Sequence, residues 1–164
     1  MPERVVCNAS PLIFLAKIDK LDFLNDYELF IPFAVESEIS KGLKNKKADA
    51  RQIQEYLRGR GITSRRAALL KDLPHYLGAG EKAVISLAVK EKIKRVLIDE
   101  AKARTVARFK GLEPKGTLGI LWDAYKAGRI EKEVLESLAL DIIQKGYRVK
   151  EEILIEFLRK LRGK

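Results

Sequence analysis

The sequence contains a single cysteine, Cys7, and a single histidine, His75. One cysteine cannot form a disulfide within the chain, and Cys7 lies in a short apolar run where a small buried side chain is its expected role. Because zinc sites are built mainly from cysteine and histidine, the composition argues strongly against zinc. His75 follows Pro74 in a predicted loop and is the sole candidate for a histidine-dependent catalytic triad, so Ser10 is a poor candidate nucleophile.

Long apolar segments are also missing from the sequence. The segment LFIPFAV at 29–35 is one of the longest, whereas a membrane-spanning helix needs roughly 18 to 20 such residues. Charges at Glu3 and Arg4, with no apolar segment and cleavage site behind them, argue against a signal peptide. We therefore expect a cytoplasmic protein that makes no contact with a membrane.

Acidic residues are outnumbered by basic ones, 23 to 33, which gives a formal net charge of +10. An excess of positive charge favours an anionic partner, and nucleic acid is the first candidate. The alternative is a thermophile-style surface, because lysine and glutamate are abundant while methionine and cysteine are scarce. The two interpretations are compatible.

Two short segments predict a parallel sheet. RVVC at 4–7 and RVLI at 95–98 are β-branched runs, and each is followed by a polar residue and then by a helical pattern. Strands that alternate with helices are typical of βαβ units. With 164 residues, we expect one α/β domain at 1–164, with a mostly parallel central sheet and a helical extension at about 130–164.

Other elements follow from local patterns. Ser10 and Pro11 predict a helix start, and a second helix is predicted across 17–24. The polar and basic stretch at 42–74 predicts two helical pieces broken near Gly59 and Gly61. In GTLGIL, which begins at Gly116, Thr117 is a candidate helix cap; the segment lacks the spacing of a phosphate-binding loop, so a nucleotide cofactor is not expected.

Four residues are candidates for an acidic metal site. Asn8 and Asp99 come directly after the two predicted strands, and if these strands are neighbours their ends lie about 4.8 Å apart. Glu81 lies in the first turn of a predicted helix, where its alternative role is to stabilise the helix start. Glu38 follows another predicted strand, and its alternative role is a surface pair with Lys41.

The order of these segments resembles the PIN-domain nuclease family, and most closely its stand-alone prokaryotic branch. The segments that carry the resemblance are NASPLIFLAKIDKLDFL, IPFAVESEI, LGAGEKAVISLAV, VLIDEAKAR and GTLGIL, in matching order from residue 4 to about 121. The resemblance implies a three-layer α/β/α sandwich that binds Mg²⁺ or Mn²⁺ and hydrolyses RNA. It also implies a toxin of a toxin–antitoxin pair, a possible antitoxin protein as partner and a homodimer.

Carried over by position, the family's metal-binding cluster falls on Asn8, Glu38, Glu81 and Asp99, with Glu100 as an alternative to Asp99. The three carboxylates Glu38, Glu81 and Asp99 are then the catalytic candidates. The resemblance further places two hydroxyl residues, Ser10 and Thr117, beside the site. Carboxylate and amide oxygens are hard ligands that suit Mg²⁺ or Mn²⁺.

Asn8 stands where most of the wider family has aspartate, although the branch with the greatest resemblance also uses asparagine. An amide oxygen can bind a hard cation but adds no negative charge. Three carboxylates and two divalent ions would give the site a net charge of +1. This balance favours a single bound metal, or a second metal that binds only together with the RNA phosphate. We therefore expect weak or conditional activity, and the alternative is an inactive RNA-binding PIN module.

Basic side chains could hold the phosphates of RNA. The candidates are Lys44, Lys46, Lys47, Arg65 and Arg66, and their alternative role is a solvated face that aids solubility. Trp122 and Tyr125 could stack on bases, but an aromatic pair at helical spacing is more often part of a core. The last predicted helix, at about 150–162, has an apolar face with three alternative roles: to cover its own core, to form a homodimer interface or to bind a partner protein.

Overall fold

The structure is a computed structural model that describes residues 2–163. Its five strands form one sheet in the order β3-β2-β1-β4-β5, and every pair of neighbours is parallel. This arrangement confirms the predicted α/β fold class with a parallel sheet. The strands are β1 (Glu3–Cys7), β2 (Tyr27–Pro32), β3 (Ser64–Arg65), β4 (Arg95–Leu97) and β5 (Glu113–Lys115).

The central strand β1 is buried because its sequence is apolar on both faces. Val5, Val6 and Cys7 are fully buried, and Val6 is aligned with Phe30 of β2 on one side and with Val96 of β4 on the other. Continuous apolar runs of this kind are expected in parallel strands that are covered on both faces.

Eight helices accompany the sheet within the described part of the chain. They are α1 (Ala9–Lys17), α2 (Phe33–Lys44), α3 (Ala48–Gly59), α4 (Ala79–Glu91), α5 (Ala101–Phe109), α6 (Thr117–Lys126), α7 (Lys132–Gln144) and α8 (Glu151–Arg162). None of the helices at residues 2–163 is long and apolar enough to cross a membrane.

The chain divides into two compact units, Met1–Thr117 and Leu118–Lys164. The first contains the whole sheet and helices α1 to α5. In the second, the ring of Trp122 lies 5.5 Å from that of Tyr125 and 6.0 Å from that of Phe157, centroid to centroid. Trp122 therefore packs against aromatic side chains of its own unit, as expected of a core residue.

Three local predictions are wrong. Ser10 does not cap α1, because the helix already begins at Ala9 and the N-cap residue is Asn8. The predicted helix across 17–24 is the end of α1 followed by a short 3-10 helix, Leu21–Leu24. The stretch 42–74 contains the end of α2, helix α3 and the short strand β3, where a second helical piece was predicted. Here the backbone satisfies its polar groups by tertiary contacts: β3 pairs with β2, and the Leu70 N–H donates to Ser86 Oγ at 2.9 Å.

Candidate active site at the carboxyl edge of the sheet

The acidic candidates gather where the order of the strands reverses. Chain order runs outward from β1 to β2 and β3 on one side and, later, to β4 and β5 on the other. Asn8 follows β1, Asp99 follows β4, and the Asn8 N–H donates to the Leu97 carbonyl oxygen at 3.0 Å. In open α/β sheets, ligands bind outside the carboxyl ends of the strands at this reversal point.

Asn8 has a buried side chain with no partner in the described chain. The residue is only 7% exposed and is the N-cap of α1, yet its amide does not cap that helix. No hydrogen bond joins the Asn8 side chain to any other part of residues 2–163. The amide atoms are not among the fully buried polar atoms without a partner, so they keep some access to solvent and could exchange water for a ligand.

Gly80 shows that Asn8 and Glu38 lie close to the first turn of α4. A Cβ atom placed on Gly80 would lie 2.9 Å from Asn8 Oδ1 and 3.4 Å from Glu38 Oε1. The shorter contact would force Asn8 Oδ1 to move, whereas the contact with Glu38 Oε1 is at the limit of ordinary van der Waals distance. Glycine at this position therefore leaves the space that the oxygens of Asn8 and Glu38 occupy.

Asp99 is held by two hydroxyl residues. Ser10 Oγ and Thr117 Oγ1 each donate to Asp99 Oδ2 at 2.7 Å, and the Thr117 backbone N–H donates to Asp99 Oδ1 at 2.7 Å. Thr117 is fully buried. Charge-assisted hydrogen bonds of this length are among the stronger ones in proteins, so the orientation of the Asp99 carboxylate is fixed by the fold.

Cys7 is inert as a nucleophile in this environment. Burial raises the pKa of the Cys7 thiol far above its ordinary range, and the nearby negative charge of Asp99 adds to the shift. A thiol rather than a thiolate therefore lies beneath the site.

Glu81 stabilises the start of α4 as well as facing the candidate site. Its Oε1 accepts a hydrogen bond from the backbone N–H of the N-cap residue Gly78 at 2.8 Å. The structural role considered from the sequence is therefore real. It does not exclude a second role, because a carboxylate has further acceptor positions.

Glu38 is coupled to Glu81 by charge. Although Glu38 is exposed as a whole residue, partial burial of its carboxyl group raises its pKa, the negative charge of Glu81 raises it further, and Lys41 opposes the shift. Glu38 has no hydrogen bond or ion pair with the rest of residues 2–163. A cation between the two carboxylates would relieve their repulsion.

A model of the PIN-domain family (DUF3368) matches residues 4–163 of this chain. This protein is a member of the PIN-domain family. It is similar in fold to a PilT N-terminus domain protein from the hyperthermophilic archaeon Sulfolobus solfataricus P2, at 15% sequence identity and a TM-score of 0.54. That similarity covers 74% of this chain and 92% of the archaeal one. No curated protein matches the sequence.

Membership in the PIN-domain family carries a general activity with it. PIN domains are generally nucleases and typically use divalent metals. Among the residues that the structure describes, however, no three histidine, cysteine, aspartate or glutamate side chains form a group arranged to hold a metal ion. Asn8, which the resemblance includes in the cluster, is an amide outside those four residue types.

Glu100, the alternative metal ligand, has a different task in this PIN domain. It is the N-cap residue of α5, is exposed, and its Oε1 accepts a hydrogen bond from the Ala103 N–H at 3.1 Å. Sequence alone could not choose between Asp99 and Glu100, because both follow β4 directly. The structure directs Asp99 toward Ser10 and Thr117, and uses Glu100 to begin the helix.

The predicted basic residues fall into two places. Lys44, Lys46 and Lys47 are exposed around the turn between α2 and α3, and Lys47 lines a groove of 690 Å³ together with Glu38. Arg65 and Arg66 lie at the end of β3, at the same edge of the sheet as the acidic residues.

Sequence reasoning missed two residues at this edge. Gly80 lies in the quoted segment LGAGEKAVISLAV but was not singled out as the space beside Asn8. Arg104 was not singled out, yet its Nη1 donates to the Asp99 carbonyl oxygen at 3.2 Å, and its Nε is a buried atom without a partner. Spacing offered a signal for Arg104, because it lies one helical turn beyond the start of α5.

Proposed function

We propose that this PIN domain is a metal-dependent endoribonuclease that hydrolyses RNA phosphodiester bonds. The observation that supports it best is the environment of Asn8, a residue only 7% exposed, whose amide lacks a partner among the described residues and has its oxygen beside Gly80 and Glu38. With no partner in the protein, the amide oxygen is available to a cation, and amide oxygen is a ligand that hard cations accept. The excess of positive charge in the chain supports RNA as the substrate.

The donor atoms at the edge of the sheet suit Mg²⁺ or Mn²⁺. Asn8, Glu38, Glu81 and Asp99 would hold the cation, and all four offer oxygen, the ligand that hard cations prefer. Once bound, the cation would neutralise phosphate charge and act as a Lewis acid on the scissile phosphate. The raised pKa of Glu38 fits this role: it comes from partial burial and then from the negative charge of Glu81, and a bound cation would favour the ionised carboxylate against both.

Ser10 and Thr117 would orient a metal ligand, and the protonation of Glu38 would set the pH range of activity. Ser10 and Thr117 keep the Asp99 carboxylate in one orientation, so little reorganisation is needed when the substrate arrives. Glu38 keeps a proton on its carboxyl group to a higher pH than an isolated glutamate does. As the pH is lowered, activity that requires the ionised Glu38 should therefore begin to fall at a higher pH than it would with an ordinary glutamate.

A second candidate is a catalytically weak or inactive RNA-binding module. Two observations favour it: no group of three potential metal ligands forms among residues 2–163, and Glu81 is engaged in capping α4. Asn8 also supplies one negative charge fewer than an aspartate would. Such a module would bind RNA through its basic residues and leave it intact.

Calorimetric titration with Mn²⁺, followed by cleavage of a labelled RNA, separates the two candidates. We expect saturable Mn²⁺ binding that Glu81→Gln weakens, since glutamine keeps an acceptor for the Gly78 N–H and removes only the charge. We also expect RNA cleavage that requires Mn²⁺ or Mg²⁺ and stops with a chelator. No binding at millimolar Mn²⁺, together with intact RNA, would favour the RNA-binding module.

We further propose that the protein acts as a toxin paired with an antitoxin protein, and that it forms a homodimer. The resemblance to the toxin-like branch supports the pairing, and the exposed apolar residues Ile153 and Ile155 on α8 support a protein contact. A small reading frame that adjoins this gene, and whose product suppresses growth arrest on co-expression, would support the pairing. Light scattering of the purified chain tests the homodimer, which a monomeric mass would contradict.

A further inference from the structure

Two exposed aromatic rings lie at the carboxyl edge of the sheet, and each is beside a cation. Phe33, the first residue of α2, is 39% exposed, and Arg66 Cζ lies 3.8 Å from the centroid of its ring. Tyr76, in the turn before α4, is 57% exposed, and Lys102 Nζ lies 5.6 Å from the centroid of its ring. Surfaces that bind single-stranded nucleic acid combine aromatic rings with basic groups in this way.

The two ring–cation pairs flank the acidic residues. Strands β2, β1 and β4 are adjacent in the sheet, and Phe33, Asn8 and Lys102 follow them in that order. The outer two of these strand ends are two strand spacings apart, about 10 Å, with Asn8 between them. Tyr76 lies two residues before Gly78, whose N–H binds Glu81.

We infer that Phe33 with Arg66, and Tyr76 with Lys102, are two base-stacking subsites that hold a single RNA strand across the acidic residues. The inference rests on the proposed function, which supplies the identity of the strand. Each ring offers a stacking surface for a base, while Arg66 and Lys102 offer positive charge to the phosphates. A duplex keeps its bases inside the helix, so these subsites select a single strand.

Other aromatic residues of this unit lack one part of this combination. Tyr56 is half-buried with Arg60 Cζ 5.7 Å from its ring centroid, but Arg60 also donates to the carbonyl oxygen of Tyr27, where β2 begins, so that pair lies at the amino edge of the sheet. Phe30 has Arg65 Cζ 4.5 Å from its ring centroid but is only 5% exposed, so that pair belongs to the packed interior. Phe109 is 87% exposed, but no cation lies over its ring within the described residues. It ends α5 and precedes β5, which places it at the amino edge of the sheet, away from Asn8 and Asp99.

Binding can be measured without metal, so that cleavage does not interfere. Fluorescence anisotropy with a labelled oligouridylate and the full chain in chelator gives the dissociation constant. We expect Phe33→Ala and Tyr76→Ala each to weaken binding by about fivefold or more, because stacking on one base is lost. Phe109→Ala is the matched control and should stay within about twofold of the wild type, since its ring lies at the other edge.

Conservative variants separate stacking from folding. Phe33→Tyr and Tyr76→Phe keep the rings and should bind as the wild type does, and circular dichroism checks that the alanine variants are folded. Duplex RNA of the same length should bind equally to the wild type and to both alanine variants. Equal losses for duplex and single strand, alanine variants that bind like Phe109→Ala, or a wild type that binds no single strand would each overturn the inference.

A cleavage assay with Mn²⁺ keeps the two proposals apart. If the wild type cleaves no RNA but the alanine variants lose single-strand affinity, the nuclease proposal fails and the subsites stand. If the wild type cleaves RNA and the alanine variants retain full affinity, the subsites fail and the nuclease proposal stands.

Discussion

Asp99 and Glu38 belong to the same candidate site, but the chain holds their carboxylates very differently. Asp99 accepts three short hydrogen bonds from Ser10 and Thr117, and Thr117 is fully buried. Glu38 is exposed and has no hydrogen bond or ion pair with the rest of the described chain. The Asp99 carboxylate is therefore fixed by the fold, while the Glu38 carboxyl group is influenced by partial burial and, after that, by the charge of Glu81.

This difference suggests what each side of the site needs from a ligand. The hydrogen bonds from Ser10 and Thr117 orient the Asp99 carboxylate before anything binds. Their free energy therefore contributes to folding and not to ligand binding. The Glu38 side combines a raised pKa with an unpartnered Asn8 amide and the small residue Gly80, so it gains most from a bound cation. Four substitutions test this contrast, beginning with the largest expected effect.

The first substitution, Asp99→Asn, should reduce both stability and cleavage. The new amide nitrogen cannot accept the hydroxyl hydrogen bonds, which costs about 1–3 kcal/mol of unfolding free energy. Loss of a positioned charge should lower the RNA cleavage rate by about 100-fold or more. Chemical denaturation and a Mn²⁺-dependent cleavage assay measure the two effects.

Glu100→Gln is the matched control for Asp99→Asn, because Glu100 is the next residue and glutamine retains an acceptor for the Ala103 N–H. It should change neither cleavage nor stability appreciably. Full cleavage by Asp99→Asn, or a loss confined to Glu100→Gln, would mean that the metal site has been assigned to the wrong residue.

The second substitution, Gly80→Ala, tests the surroundings of Glu38 and Asn8 by adding one methyl group and no charge. Its Cβ would meet Asn8 Oδ1 at 2.9 Å and Glu38 Oε1 at 3.4 Å, so the Asn8 oxygen must move. We expect a stability loss of about 1–3 kcal/mol, as for other overpacked sites, together with weaker Mn²⁺ binding. Denaturation curves and calorimetric titration provide both values.

Gly59→Ala is a suitable control for that change, since a Cβ on Gly59 would meet nothing within 4 Å and the residue ends α3. It should leave stability unchanged or raise it by about 0.5–1 kcal/mol, because alanine suits a helix better than glycine. Unchanged Mn²⁺ affinity in folded Gly80→Ala would show that the space beside Gly80 is not needed for metal binding.

The third substitution, Asn8→Asp, adds the charge that the wider family has at this position. Without metal it should lower stability, because another carboxylate joins Glu38, Glu81 and Asp99. With Mn²⁺ it should raise affinity by about tenfold, a modest estimate for one added charge close to a cation. Thermal unfolding with and without Mn²⁺ measures both effects, the loss of stability without metal and the greater stabilisation when Mn²⁺ is added.

Gln144→Glu makes the same amide-to-carboxylate change at an exposed position at the end of α7. It controls for the change in net charge and should leave Mn²⁺ affinity unaltered. If Asn8→Asp and Gln144→Glu respond alike to Mn²⁺, the Asn8 side chain does not contribute to a metal site.

The Asp99 side could be predicted from the sequence only in part. Apolar runs followed by polar residues identified β1 and β4 and therefore placed Asn8 and Asp99 at one edge. The bonds that fix Asp99 come from Ser10, 89 residues away in sequence, and from Thr117, 18 away, and local patterns carry no information about such pairings. Local patterns interpreted both residues as helix-start signals, and only the family resemblance placed them beside the site.

The Glu38 side was harder to predict because its parts have strong local explanations. Glu81 suits a helix start and Gly80 suits a turn, so neither residue type signals a site by itself. Strand β3 was missed for a similar reason. It is a two-residue edge strand of polar sequence, Ser64–Arg65, and only its pairing with β2 defines it.

The fourth substitution, Glu38→Gln, has the smallest expected effect and tests the charge coupling directly. Because the pKa of Glu38 is raised in the folded chain, its ionised form is less favourable there than in the unfolded chain. The wild type should therefore lose stability relative to Glu38→Gln as the pH rises from below 4.5, the ordinary value, through the raised pKa. Because Glu38 is exposed to water, the difference at neutral pH should stay below about 1 kcal/mol.

Denaturation of both proteins across the acidic range in chelator measures that difference, and Glu55→Gln, at an exposed glutamate of α3, serves as the control. The advantage of Glu38→Gln should vanish in acid, where the wild-type carboxyl is also neutral. Added Mn²⁺ should reverse the order, because a bound cation favours the ionised Glu38 that glutamine cannot provide. An advantage that persists unchanged in acid would mean that it comes from the size or packing of glutamine and not from the cost of ionising the Glu38 carboxyl group.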